Sequence, residues 1–261
     1  DYEYANVIRK NNRVKVRNLN KNEVKELEPN IADVYYAGQV FTGSRHTTNP
    51  LAISTKIFEK FLEIGGIYIK QNVKNIFQNE NRIELFLEDK KINFDKVIIS
   101  AGAWSNQIAN MLGDKFPLDT ERGYHILFET NEKLINRPVA WSESGFYLIQ
   151  IHNGIRAAGT VEIAGLTKPS NKKRLEMIER QSRKVLPQLG DIKSTWMGRR
   201  PTLPDSLPII GKSKQNNNVI YAFGHQHVGW TLGAVTGKII DSLSKDQVPN
   251  IDITAYSPSR F

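Results

Sequence analysis

Residues 97–105, Val97-Ile98-Ile99-Ser100-Ala101-Gly102-Ala103-Trp104-Ser105, decide the fold. Lys96–Ser100 reads as a short buried strand, Gly102 interrupts it, and a helix is predicted from there to about Leu112. A buried strand that runs through glycine into a helix start is α/β organisation, with backbone N–H groups aimed beyond the strand end. Two readings of Gly102 are open. It either lets the backbone approach an anionic ligand or only turns strand into helix.

Working toward the N-terminus, Ile67–Val73, Ile76–Phe77 and Ile83–Leu87 alternate and predict a β-meander around an Asn79–Asn81 turn. Before it, Asn49-Pro50 opens a predicted helix over 50–64, with Ile53, Ile57, Phe61 and Ile64 at helical spacing and Gly65-Gly66 as its stop. Asn20 to Pro29 reads as a short charged helix. The opening stretch alternates too early and is too charged for a signal peptide.

Toward the C-terminus, Gly123–Glu129, Val139–Ser142, Phe146–Ile151 and Ile155–Val161 predict antiparallel strands, with Asn153-Gly154 as a hairpin signal. A helix follows over 171–186, then a short strand over 195–197, a polar turn at Gln215–Asn218 and a strand over 219–223. The last helix, 229–243, carries Gly229, Gly233 and Gly237 along one side, a spacing that admits a second backbone. Two layers of different character predict two interleaved domains in a mixed α/β (α+β) fold.

The 261 residues include 36 Lys+Arg against 27 Asp+Glu, a net charge of +9, and no cysteine. Without cysteine there are no disulfides, thiolate zinc sites, iron–sulfur clusters or Cys nucleophiles. No stretch reaches the ~18 apolar residues of a membrane span. The basic residues are scattered, apart from Lys172–Arg174, and acids lie among them, so nucleic-acid binding is not expected. The first methionine is Met111 and the chain opens with Asp1, which raises the expectation that part of a longer protein precedes it.

Several nucleotide and nucleophile motifs are missing. There is no G-x-G-x-x-G and no G-x-S-x-G, and Gly211-Lys212-Ser213 lacks the first Walker glycine because Ser206 stands there. His225-x-His227 has no carboxylate at ligand spacing, so no metal site is expected. What remains is Trp196–Gly211, where prolines stiffen a segment bearing Arg199 and Arg200, and Phe223-Gly224-His225-Gln226-His227-Val228-Gly229-Trp230-Thr231. An arginine braced by proline suits bidentate capture of a carboxylate. Pairing of Arg199 or Arg200 with Asp205 is equally open. The second stretch aims N–H groups from a helix start, or is ordinary capping with incidental histidines.

In their order and spacing these features resemble the C-terminal two-thirds of the D-amino-acid dehydrogenase, glycine oxidase and sarcosine oxidase superfamily of FAD-dependent amine oxidoreductases. The resemblance runs from Leu19 to Phe261 and rests on Asn20–Pro29, VIISAGAWS, GRRPTLPDSLPIIG and GHQHVGWTL. Glu121–His125, Gly159–Glu162 and Ser257–Phe261 look most like the D-amino-acid and D-hydroxyproline dehydrogenase branch. The family's opening Rossmann strand and glycine loop are not matched. The fold so implied is the C-terminal part of an FAD-binding Rossmann-like domain (segments 49–116 and 201–261) interleaved with an antiparallel-sheet substrate domain (1–48 and 117–200).

The resemblance implies FAD as cofactor, met by Val73, Ala101, Gly102, Trp104, Gly224, His225, Gln226, Val228, Gly229, Trp230 and Thr231. Arg200 would hold the substrate carboxylate, Tyr147 would add a hydroxyl, and Tyr124 and His125 would line the side-chain pocket or merely pack; His227 is a further candidate. The implied reaction oxidises the Cα–N bond of a D-amino acid or cyclic imino acid, with oxygen or a quinone-linked chain taking the electrons. The expected location is cytoplasmic or peripheral to the inner membrane. Without the glycine loop this chain alone is expected to hold FAD poorly. The alternative is a non-catalytic fragment or a partner-dependent subunit lacking the nucleotide loop.

Overall fold

A computed structural model describes residues 2–78 and 82–261. The expected Asn79–Asn81 turn lies outside the described residues. The chain forms two compact units, the first from 1–67, 124–160 and 170–197, the second from 68–123, 161–169 and 198–261. This division differs from the sequence-based one: residues 49–67 group with the first unit, and 117–123, 161–169 and 198–200 with the second.

The first unit begins with α1 (Tyr2–Asn11), where the sequence had suggested alternation. Strands β1 (Val16–Asn20) and β2 (Ala37–Phe41) pair antiparallel and flank α2 (Lys21–Leu27). A capping box starts α2: the Asn20 side chain accepts from the Glu23 N–H, and Glu23 accepts from the Asn20 N–H. Helix α3 (Pro50–Glu63) opens on the expected Asn49-Pro50 signal.

The unit's main feature is an antiparallel sheet of β7 (Asp119–Phe128), β8 (Val139–Trp141), β9 (Phe146–Ile151), β10 (Gly154–Ile163) and β11 (Ile192–Thr202), in the order β11-β7-β10-β9-β8. Strands β7, β10 and β11 each contribute residues to both units. Gly154 pairs with Ile151, so the expected hairpin closes through His152-Asn153. Tyr124, Ile126, Phe128, Leu148, Ile155 and Ala157 bury one face against Ile178, Val185 and Leu186 on and just after α5 (Lys172–Val185). Strict alternation along the strands selects that face.

In the second unit β6 (Val97–Ile99) lies parallel to β13 (Val219–Phe223), and β12 (Ile209–Lys212) pairs antiparallel on its other side. Ile210 and Ile220 pack on Ile239, Ile240 and Leu243 of α6 (Gly229–Ser244). The opposite face buries Ile99, Ile209, Tyr221 and Phe223 with Ala109 of α4 (Ser105–Met111), Ile76 of β3 (Asn75–Gln78) and Ile83 of β4 (Ile83–Phe86). Strand β5 (Lys91–Phe94) completes a small sheet with β3 and β4. The alternation at 67–73 does not form a strand; that segment is extended without ladder partners, and the sheet begins at Asn75. Among the described residues no helix is long and apolar enough to cross a membrane.

Candidate functional site

Because β6 and β13 run parallel in register Val97↔Val219 to Ile99↔Tyr221, the loops that follow them leave the same edge of the second unit. The carboxyl edge of parallel strands is where α/β sheets bind ligands. After β6, Ala101 leads into a single 3-10 turn over Gly102–Trp104 and then into α4. Gly102 takes φ +56°, and no atom lies within 4 Å of where its Cβ would be, so the backbone there is bare and open.

After β13, Gly224 takes φ +88°, a conformation that favours glycine, and a Cβ there would stand 2.6 Å from Leu203 Cδ1. Gln226 also adopts a left-handed conformation, φ +49°, uncommon for a residue with a side chain. Its N–H donates to the Pro201 carbonyl at 3.1 Å. Helix α6 then starts after Val228 without a side-chain cap, so the positive end of its dipole faces outward from Gly229, Trp230 and Thr231.

The Gln226–Pro201 bond ties this loop to the residue directly after Arg200. The segment expected to be irregular is in fact strand, since β11 continues through Pro201 to Thr202. Proline is tolerated because β11 is the edge of its sheet and the missing N–H breaks no ladder bond. Arg199 and Arg200, being adjacent, point to opposite faces. Arg199 Nε donates to the Leu166 carbonyl at 2.7 Å, and its guanidinium lies 5.8 Å from the centre of the Trp104 ring. Asp205 takes Arg260 in a salt bridge at 2.6 Å, which fastens the last residues to the segment after the arginines.

The Arg200 guanidinium is half-buried against Gly123 of β7. Burial lowers its pKa, and the Glu121 carboxylate opposes that shift. The group stays cationic. Next to Gly123, Arg122 is fully buried and donates to the carbonyls of Lys168 and Pro169 at 2.7 and 2.9 Å, with Glu162 at 3.7 Å. His225 is half-buried, with Nε2 3.0 Å from the Thr236 hydroxyl, and burial lowers its pKa. His227, Val228, Trp230 and Thr231 are exposed, while Val73 is half-buried in the segment before β3.

The second unit thus brings together the 101–104 turn, the 224–231 loop and Arg200. The other candidates belong to the first unit. Tyr147 is 54% exposed on β9, between Ala140 and Ala158 of its neighbours. Tyr124 is only 1% exposed, and its hydroxyl accepts from the Asn171 N–H at 3.1 Å. Tyr124 is packed in the core of the first unit. His125 lies on the other face, stacked on Trp196 at 5.1 Å. Burial, and then the Arg156 charge, push its pKa down to about 4, so the imidazole is neutral at pH 7.

Sequence reading did not find the Trp196 stack, the Arg199–Trp104 contact or the Gly123 seat. The residues expected to meet FAD fit that group: an open left-handed glycine, a second glycine-led loop and an uncapped helix start lie at one parallel-strand edge.

A family model described as FAD dependent oxidoreductase (DAO) matches residues 2–243. The D-amino-acid oxidase of Bradyrhizobium diazoefficiens is 33% identical over 249 residues, covering 93% of this chain and 59% of that protein. Hydrogen cyanide synthase subunit HcnC of Pseudomonas protegens is 27% identical over 253 residues, 94% of this chain and 60% of that protein. The chain therefore spans about three-fifths of the length of these curated relatives. Among solved structures, glycine oxidase from Geobacillus kaustophilus superposes with TM-score 0.89 at 18% identity, over 98% of this chain and 70% of that one. L-proline dehydrogenase from P. horikoshii gives 0.84 at 22% identity, over 100% and 74%. At these identities the likeness establishes the fold.

Proposed function

The chain belongs to the FAD-dependent oxidoreductase family, and on that premise we propose that its parent protein oxidises the Cα–N bond of a D-amino acid or a cyclic imino acid. The observation that carries this reading is the Gln226–Pro201 hydrogen bond, which joins the glycine-led loop to the strand bearing Arg200. The 33% identity to a D-amino-acid oxidase supports the choice of substrate class.

Bound FAD supplies a hydride acceptor. Arg200 binds the substrate carboxylate as a cation that burial has stripped of part of its water, which strengthens the charge-assisted bond. Fixing the carboxylate limits the orientations of the Cα–H bond. The N–H groups of the 224–231 loop and the start of α6 stabilise negative charge that develops beside them. A substrate entering with a neutral amine needs no strong protein base. As Cα–H leaves as hydride and N–H as a proton, the Cα–N bond becomes an imine; water adds to it, releasing ammonia and a keto acid, or opening the ring of a cyclic substrate. Tyr147 remains the candidate hydroxyl of the first unit.

Arg200→Ala tests the assignment. We expect KM for D-amino acids to rise on the order of 100-fold, the scale of losing one partner of a desolvated charge pair, with flavin content unchanged. An unchanged KM removes Arg200 from the site. Similarity to a protein named as a subunit supports a second reading, a partner-dependent chain. Turnover by the purified protein without any partner excludes it.

A further inference from the structure

We propose that Gly123 is a positioning residue for Arg200: the absent side chain is the seat that holds the guanidinium against β7. The inference rests on reading Arg200 as the carboxylate clamp. A Cβ at position 123 would lie 2.1 Å from Arg200 Nη2, 2.3 Å from Cζ and 2.7 Å from Nη1. Three atoms of the head group thus crowd the space that a side chain at position 123 would fill.

The backbone does not itself require glycine there. Gly123 is not among the glycines with positive φ and sits inside a regular strand. Its neighbours in kind differ: Gly154 and Gly190 would drive a Cβ into backbone oxygens at 2.1 and 2.5 Å. At 123 the obstacle is the end of a flexible side chain, which can move. Alanine is therefore tolerated by the fold but evicts the guanidinium by roughly an ångström, since carbon contacts settle near 3.5–4.0 Å. Glu121 stands two residues before Gly123, on the same strand face, and its negative charge favours the cation. Position 123 thus sets where the clamp stands.

The test uses the full-length, flavin-loaded protein with Gly123→Ala, Arg200→Ala and the double variant. We expect Gly123→Ala to raise KM for a D-amino acid about 10- to 100-fold, the scale of an ångström-sized misplacement, while kcat and thermal midpoint change little. The Arg200 Nε–H NMR signal of the same protein, followed with and without acetate, should shift in Gly123→Ala and lose its response to acetate. In the double variant the alanine at 123 should add nothing to the Arg200→Ala defect. A raised KM in Arg200→Ala with normal KM and an unmoved signal in Gly123→Ala overturns the role of Gly123 and leaves the clamp standing. Normal KM in Arg200→Ala withdraws both. A drop in thermal midpoint with an unmoved Arg200 signal assigns Gly123 to folding alone and also overturns the proposal.

Discussion

Burial treats Arg200 and His125 differently. Arginine loses water, which lowers its pKa, and still keeps its charge, because guanidinium starts far above neutral pH. Histidine has no such margin and becomes neutral. His125 offers a direct check. Its folded pKa of about 4 is below the ordinary 6.5, so the unfolded chain binds a proton that the folded one refuses between those values. The stabilisation is complete above pH 6.5 and is lost as pH falls toward 4. His125→Phe keeps a ring against Trp196 and removes the proton. The variant should gain stability relative to the parent as pH drops from 7 to 4, measured by urea unfolding at each pH. A pH-independent difference contradicts the buried, neutral imidazole. None of this was visible in the sequence, which left His125 open between pocket and packing, because the stack depends on which strand lies beside β7.

Among elements, the legible ones carry their signals locally. Asn49-Pro50 before α3, Asn20 with Glu23 before α2 and Asn171 before α5 are cap residues whose partners lie three residues away or fewer. Phe146–Ile151 and Val219–Phe223 were readable because their apolar runs end in turns. Strand β11 was not readable beyond Met197. Pro201 argues against strand unless the strand is an edge, and edge position is a property of the sheet order. The Arg122–Glu162 pair was equally hidden, although both of its segments were singled out. Arg122 is fully buried and Glu162 nearly so, with guanidinium bonds running to carbonyls of 168 and 169. Glu162→Ala leaves the cation buried without its counter-charge and should cost about 3 kcal/mol in urea unfolding. A loss under about 1 kcal/mol would show that the two carbonyls suffice.

For the molecule as a whole, the two units divide the labour along the chain in alternating segments, which is why composition showed no boundary. Each has its own core, one around Tyr124, Phe128 and Leu148, the other around Ile99, Tyr221 and Phe223. The second unit presents the glycine-led loops from β6 and β13, which end together, with the second loop bonded to Pro201 beside Arg200, and the sequence order of those motifs was enough to name the family before any geometry. The family match spans residues 2–243, and the relatives are longer than the chain. Amino-acid oxidation at a flavin is tested by mixing the flavin-loaded full-length protein, without oxygen, with D-amino acids, cyclic imino acids and their L enantiomers, and following the visible flavin band. At least one D-amino or cyclic imino acid should bleach it, at much higher substrate concentration in Arg200→Ala. A flavin that stays oxidised with every one of these substrates contradicts amino-acid oxidation.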